Sequence, residues 1–295
     1  MKRREFVKYL SYSLPLFSCG CAFHWPSFIK VPPPKKEITE LDDIGHTHTS
    51  STEKVLDAGN DITKKSVNFN ENFADDIYCQ GHDAVLLERV LNKFRAVQRY
   101  VGNGNFNLLG MDEFFFYSRS AARIEAVTRE EKDFLDRLFN FDARLYGFHG
   151  EKNFTSLTQN ISKSSTVKVP YTGHFLRKGP SLDTYNKIRK DVGDSIILTS
   201  GVRALAKQFH LFLEKAHQSE GNLSKASRSL APPGYSFHGQ NDFDIGKVGF
   251  GLNNFNEQFA TTNEFRKLID LGYVDIRYEA MNTLGVRYEP WHIKI

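Results

Sequence analysis

The sequence predicts an α+β fold: a small antiparallel sheet flanked by helices, preceded by a mainly helical N-terminal extension. Three observations predict it. Apolar residues recur at helical spacing in several separate windows. Short β-leaning runs, Ile196-Ile197-Leu198-Thr199 foremost, stand between and after those windows. Helices and strands do not alternate in the regular βαβ rhythm of a parallel sheet. The chain of 295 residues is 40% hydrophobic and holds 25 Phe and 12 Tyr. That is enough for a signal segment and one large domain, or two small ones, with a sizeable core.

The first residues read as an address label. Lys2-Arg3-Arg4-Glu5-Phe6-Val7-Lys8 resembles a twin-arginine export signal. The apolar stretch from Val7 to Phe17 is interrupted by Lys8 and Pro15. It falls short of the ~20 apolar residues of a spanning helix. Leu16-Phe17-Ser18-Cys19 resembles a bacterial lipobox, and Ser18-Cys19-Gly20-Cys21 is a poorer second version. The expectation is export to the periplasm or cell envelope, with membrane anchoring through a lipidated Cys19. A plain cleaved signal is the alternative. Residues 1–21 form this signal and residues 22–82 a polar linker. Val31-Pro32-Pro33-Pro34-Lys35-Lys36 is a stiff extended spacer within the linker. Gly45-His46-Thr47-His48 reads as a solvated histidine pair rather than a metal site.

The three cysteines, Cys19, Cys21 and Cys79, contain no C-x-x-C pair, so neither a cysteine zinc site nor a disulfide framework is indicated. The net charge of +4 comes partly from the first eight residues. No dense Lys/Arg block follows, which argues against nucleic acid and fits proximity to an anionic polymer.

Ordered structure is expected from near Asp83, with residues 83–169 mainly helical. Leu87, Leu91, Phe94 and Val101 mark a helix that Gly102 stops. Phe114-Phe115-Phe116-Tyr117 reads as core. Thr128-Arg129-Glu130-Glu131 is a capping box opening a helix with Phe134, Leu135 and Leu138 on its apolar face. Residues 150–172 are polar and β-leaning. In residues 170–295, Leu182, Tyr185, Ile188 and Val192 mark a helix, Ile196–Thr199 a buried strand, and Leu205, Phe209, Phe212 and Ala216 a second helix ending before Gly221. Ala231-Pro232-Pro233-Gly234 is a turn. Phe243-Asp244-Ile245 starts a strand, and Phe265, Leu268 and Ile269 mark a short helix that Gly272 ends. Tyr273–Tyr278 and Val286–Tyr288 alternate like strands.

The chemistry concentrates near the end of the chain. The turn-rich run Gly239-Gln240-Asn241-Asp242 separates His238 from Asp244 and lets both side chains face one point. Imidazole and carboxylate are both zinc ligands. Asp242 competes with Asp244 for that role. An aspartate between Phe243 and Ile245 is costly to bury unpaired, and a metal would satisfy it; the alternative is that these aspartates cap a turn. His292 follows Glu289 by three positions with Pro290 between them, which disfavours a helical pairing. In a regular strand the two would face opposite sides, so one cavity requires a bend. Two histidines, one aspartate and a spare glutamate are what a catalytic zinc needs. Three ligands leave a fourth position open, and the spare carboxylate takes a proton from water. Ser200-Gly201-Val202-Arg203 with Gln208 adds a cation suited to a substrate carboxylate.

Read together, Ser200-Gly201-Val202-Arg203 with Gln208, then Ser236-Phe237-His238 with Asp244, then Tyr288-Glu289-Pro290-Trp291-His292 resemble the three motifs of the VanY/VanX-like zinc D-alanyl-D-alanine carboxypeptidases, the LAS-type metallopeptidases. Their order and the place of the last block match as well. The resemblance covers roughly residues 170–295, and the first half of the chain lies outside it. It implies a zinc peptidase domain over 170–295, with Zn2+ held by His238, Asp244 and His292. Glu289 would be the general base, and Arg203 the partner of the substrate carboxylate or the developing oxyanion. Gln208, Ser236 and Trp291 would line the substrate. The family places its aspartate seven residues after the first histidine, whereas position 245 here is Ile. Aligning Asp244 therefore assumes a one-residue deletion and leaves Asp242 in competition. The implied partners are peptidoglycan stem peptides, and the implied activity is release of a terminal D-Ala by D,D- or L,D-carboxypeptidase action. An endopeptidase, or a wall-binding lipoprotein on a decayed peptidase fold, are the alternatives. The intact Glu289 speaks against the second.

Overall fold

The computed structural model describes residues 61–295. The export signal with Cys19 and Cys21, the His46 and His48 pair and most of the expected linker lie outside the described residues. Packed structure begins earlier than the expected boundary near 83. Residues 61–67 are helical. The segment after them is tied down by Asp76, which accepts hydrogen bonds from Arg228 Nη1 at 2.7 Å and Nη2 at 3.0 Å. Asn222 donates to the same carboxylate at 2.7 Å, and the Ile77 carbonyl accepts from Leu223 N at 2.9 Å. Polar residues that read as a solvated linker are used here as hydrogen-bonding partners.

Three helices follow. Helix α1 (His82–Val101) buries Leu86, Leu87, Val90, Leu91, Phe94 and Val97 along one stripe. Helix α2 (Met111–Ser120) carries the aromatic run; Phe114 stacks on Phe94 with ring centroids 4.0 Å apart, while Phe116 faces solvent. Helix α3 (Arg129–Asn140) opens on the expected capping box. Glu131 N donates to Thr128 Oγ1 at 3.2 Å and Thr128 N to Glu131 Oε2 at 2.8 Å. Glu131 is fully buried, and Lys93 of α1 neutralises it by donating to both its oxygens at 2.7 and 2.6 Å.

The remainder is built around two small antiparallel sheets. Strands β1 (Thr166–Lys168) and β2 (Phe175–Arg177) form a ribbon, the only ladder in the β-leaning stretch before residue 172. Helix α4 (Pro180–Val192) leads into strand β3 (Ile196–Ser200), and helix α5 (Leu205–Gln218) follows. After a short helix, α6 (Leu223–Ser227), come strand β4 (Phe243–Lys247), helix α7 (Asn263–Asp270) and strand β5 (His292–Ile293). The three strands pair in the order β3-β4-β5.

Side chains alternate across a strand. Phe243 and Ile245 therefore point into an apolar core with Ile196, Leu198, Trp291 and Ile293, and Asp244 points to the other face. A second core joins α1, α2 and α3 to α5, where Phe209, Phe212 and Leu213 are fully buried. Helix α5 thus belongs both to the helical half and to the frame of the sheet. Residues 273–278 and 286–288 are not strands. They run beside the sheet with isolated bonds, Glu289 N to Tyr278 O at 3.0 Å and Lys294 N to Asp275 O at 3.3 Å. Tyr278 and Val286 are buried and most of the other residues half-buried, without a ladder.

Candidate active site

The sheet brings the three sequence blocks into one row. Ser200 of β3 pairs with Asp244 of β4, and Asp244 pairs with His292 of β5. A register shift between Leu198 and Ser200 marks a bulge just before Arg203, the kind of irregularity that re-aims side chains at a sheet end. Gly201 lies so close to β2 that a Cβ there would sit 2.0 Å from the Phe175 carbonyl oxygen, so the Ser-Gly step is dictated by backbone packing. The bend required between Glu289 and His292 is a turn. His292 N donates to Glu289 O at 3.1 Å, with Pro290 in the second position, where its fixed φ suits a β-turn. Both side chains thereby reach one cavity.

His238, Asp244 and His292 converge there, all three almost completely buried. One donor atom from each lies within 4.8 Å of the others. Asp244 Oδ1 is 3.2 Å from His238 Nε2 and 3.1 Å from His292 Nδ1. The two rings stand nearly perpendicular with centroids 5.0 Å apart.

The outer nitrogens define the tautomers. His238 Nδ1 lies 2.9 Å from the Gly201 carbonyl oxygen, so it donates and leaves the Nε2 lone pair facing inward. His292 Nε2 lies 2.9 Å from Asp242 Oδ2, which leaves Nδ1 facing Asp244. This carboxylate–histidine arrangement orients metal-ligating imidazoles. It also separates the two competing aspartates: Asp244 belongs to the converging group, while Asp242 grips the far edge of His292. Asp242 is itself fixed by Arg277 Nε at 2.6 Å and Ile295 N at 3.1 Å.

The electrostatics suit a cation. Burial opposes charge on His292, but bonds to Asp242 and Asp244 outweigh it and raise the imidazole to about 9. Burial and the nearby Arg203 push His238 below the ordinary histidine value. Burial also opposes ionisation of Asp244, yet His238 and Arg203 hold its carboxyl well below the usual range. A buried carboxylate facing two imidazole nitrogens is a donor set that fits Zn2+, which would take the place of the proton that His292 shares with Asp244.

Glu289 lines the same cleft, with Oε2 3.9 Å from His292 Nδ1. Burial raises its carboxyl to about 7, well above an ordinary glutamate. The cleft has a cavity volume of about 90 Å³ and is lined by Ser236, Tyr278, Phe255 and Trp291 as well as the residues above.

Arg203 lines the cleft but is already engaged. Its Nη2 donates to Asp244 Oδ2 at 2.5 Å and its Nε to Ser200 Oγ at 2.8 Å. Gln208, expected at the substrate, lies behind the site. Its amide donates to Arg203 O at 2.8 Å and accepts from Gly234 N at 2.9 Å, so it braces the Arg203 loop. Trp291 is buried in the sheet core and offers a wall rather than an open stacking face. Sequence reasoning missed Arg277, Tyr278 and Arg287. Tyr278 packs edge-on against His292 with centroids 4.9 Å apart, and Arg287 lines the cleft beside Glu289. The signal available for the Asp242 role was its place two positions before Asp244, just ahead of β4.

Residues 182–295 match the family model described as VanY, D-alanyl-D-alanine carboxypeptidase. Among solved structures, the chain is similar to the LdcB LD-carboxypeptidase, whose structure concerns peptidoglycan recognition. The identity is 24% over 46% of this chain and 69% of that one, with a TM-score of 0.38. It is also similar to a mutant of the vancomycin-resistance D,D-pentapeptidase VanY, from a VanB-type cassette and in complex with Zn(II). There the identity is 25% over 44% of this chain and 76% of that one, with a TM-score of 0.33. No curated protein matches the chain. The stretch that matches the VanY carboxypeptidase family, residues 182–295, is the one that holds the buried His238, Asp244 and His292 group.

Proposed function

We propose that the protein hydrolyses peptidoglycan stem peptides in the cell envelope, releasing a terminal D-Ala by D,D- or L,D-carboxypeptidase action. One observation carries this reading: His238, Asp244 and His292 converge within 4.8 Å, and the carboxylate of Glu289 stands 3.9 Å from the nearest of them. His238 Nε2, Asp244 and His292 Nδ1 would hold Zn2+. When bound, the ion supplies Lewis-acid chemistry, polarising the scissile carbonyl and lowering the pKa of a water from ~16 towards ~7.

The rest is the work of the chain's own residues. Glu289 accepts the proton of the attacking water and returns it to the leaving amine. Its burial makes it a strong enough base to take a proton and a strong enough acid to give it back near neutral pH. Arg203 holds Asp244 in place and keeps it ionised. Asp242 and the Gly201 carbonyl fix the two imidazoles. Ser236 lines the cleft where the peptide would lie.

Metal content and product analysis test the reading. The purified protein should bind one Zn2+, and pentapeptide or tetrapeptide muropeptides should lose free D-Ala. Cleavage only inside cross-linked muropeptides would overturn the carboxypeptidase reading in favour of an endopeptidase. Glu289→Gln should keep its zinc and lose ~10²–10⁴-fold in kcat; unchanged turnover would reject Glu289 as the base.

The twin-arginine-like signal supports export, and Leu16-Phe17-Ser18-Cys19 supports lipid attachment at Cys19. Mass spectrometry of the mature protein checks the latter. An acylated N-terminus at Cys19 is expected, and an unmodified N-terminus beyond Cys21 would refute it.

A further inference from the structure

We propose that Arg287 is the specificity-determining anchor for the substrate's C-terminal carboxylate, the group that confines cleavage to the last peptide bond. The inference rests on the peptidase reading above and names the residue that makes it an exopeptidase.

Two guanidinium groups line the cleft, those of Arg203 and Arg287. Arg203 donates through Nε to Ser200 and through Nη2 to Asp244, and withdrawing it to hold a substrate would release a carboxylate of the metal group. Arg287 is in the opposite state. Its Nε is buried and has no hydrogen-bond partner among the described residues. The closest carboxylate oxygen to that nitrogen, Glu289 Oε1, is 3.7 Å away, beyond hydrogen-bond reach. A buried donor left unpaired is costly, and a carboxylate entering the cleft would relieve the cost.

The guanidinium is also held ready. It lies 5.0 Å from the centroid of Phe69 on one contact and 5.0 Å from that of Trp291 on another. Its backbone N–H donates to Arg228 O at 2.9 Å, and Arg228 is the residue clamped by Asp76. Two aromatic contacts and a fixed backbone limit the rotamers to be frozen on binding. The segment around Phe69, polar enough to read as linker, thus reaches the Arg287 side chain.

Reach completes the case. Arg287 Nε stands 3.7 Å from Glu289 Oε1, and Glu289 Oε2 stands 3.9 Å from His292 Nδ1. One residue of a peptide spans about 3.8 Å between Cα atoms. A terminal carboxylate paired with Arg287 therefore lies about one residue's reach from Glu289, whose other oxygen faces the metal group.

The test compares an acylated D-Ala-D-Ala peptide ending in a free carboxylate with the same peptide ending in a carboxamide, on the zinc-loaded full chain. The wild type should favour the acid by about 10- to 100-fold in kcat/KM, chiefly through KM. Arg287→Gln should erase that discrimination while keeping zinc, Arg287→Lys should restore part of it, and Phe69→Ala should weaken it. Calorimetry in a Glu289→Gln background supplies a readout without turnover: the acid should bind more tightly than the amide only when Arg287 is present. Discrimination that survives Arg287→Gln, or that vanishes in Arg203→Lys with zinc retained, would overturn the proposal. If no stem peptide is hydrolysed yet acid binding still depends on Arg287, the peptidase reading falls and the anchor stands. If D-Ala is released with discrimination untouched by Arg287→Gln, the anchor alone falls.

Discussion

At the scale of single residues, the site is a problem in placing charge inside a protein. Asp242, Asp244 and Glu289 are all buried, and each is treated differently. Asp244 and Asp242 are surrounded by donors and stay ionised; burial works against Asp242 too, but His292 and Arg277 bring it to about 2. Glu289 has no donor within hydrogen-bond reach among the described residues, and burial raises it to about 7. This contrast predicts the acid limb of the rate profile. A general base works only when deprotonated, so kcat/KM falls as pH drops below its pKa. A bound cation and Arg287 both favour the carboxylate, so the limb should lie below 7 in the zinc enzyme and move upward in Arg287→Gln. A limb unmoved by that substitution would separate Arg287 from Glu289 electrostatically. The Asp242 role has its own consequence. Asp242→Ala removes the acceptor that orients His292 and should weaken Zn2+ binding about 10- to 100-fold in chelator competition. Asp244→Asn, which alters a ligand itself, should weaken it more. Equal effects would contradict the separation of roles. The histidines and Glu289 were legible in the sequence because few residue types do this chemistry. Arg287 and Arg277 were not, because a surface arginine and a cleft arginine look alike until the backbone is placed.

At the scale of elements, the site depends on short pieces held in register. Strand β5 is two residues long, and its pairing puts His292 beside Asp244. The helices were readable because their apolar stripes repeat over several turns, as in α1 and α5, and because Thr128 and Glu131 state where α3 begins. Strand β3 was readable as a short β-branched run. Residues 273–278 and 286–288 were misread because an alternating sequence pattern says nothing about a ladder partner. The turn at Glu289–His292 was required by the spacing, yet its type emerges only from the His292 N to Glu289 O bond. The element most exposed to disruption is the β3–α5 loop. A methyl group at Gly201 would meet the Phe175 carbonyl oxygen at 2.0 Å, backbone against backbone, with no flexible side chain to yield. Gly201 also supplies the carbonyl that fixes His238. Gly201→Ala should therefore destabilise the fold by about 1–3 kcal/mol in denaturant unfolding and reduce zinc affinity as well. A variant with lower stability but wild-type metal affinity would show that the His238 carbonyl contact tolerates the shift.

At the scale of the whole molecule, the helical half and the peptidase half share one helix and one clamp. Helix α5 buries Phe209 and Phe212 against α1 and α2, and its first turn follows directly from the Arg203 loop. The clamp is the pair Asp76 and Arg228, whose side chains are 2% and 3% exposed. It joins the segment before α1 to the stretch between α6 and the cleft. The sequence showed a polar segment there and gave no hint of its partner, since a buried ion pair 152 positions apart has no local signature. The pair makes a pH-dependent contribution whose sign follows from its shift. Burial opposes ionisation of Asp76, but bonds from Arg228 and Asn222 prevail and its carboxyl sits below the ordinary value. A depressed carboxylate stabilises the fold above the unfolded pKa, about 3.9, and that contribution is lost as pH falls through the lower folded value. At neutral pH, Asp76→Ala leaves Arg228 buried and unpaired, which should cost about 3–5 kcal/mol. Because Arg228 O holds the Arg287 backbone, the same change should raise KM for a stem peptide ending in a free carboxylate. Equilibrium unfolding at pH 7 and at pH 3 checks the first claim: the gap between wild type and variant should narrow in acid. Steady-state kinetics at neutral pH checks the second, and an unchanged KM in a destabilised variant would show that the clamp serves the fold without reaching the site.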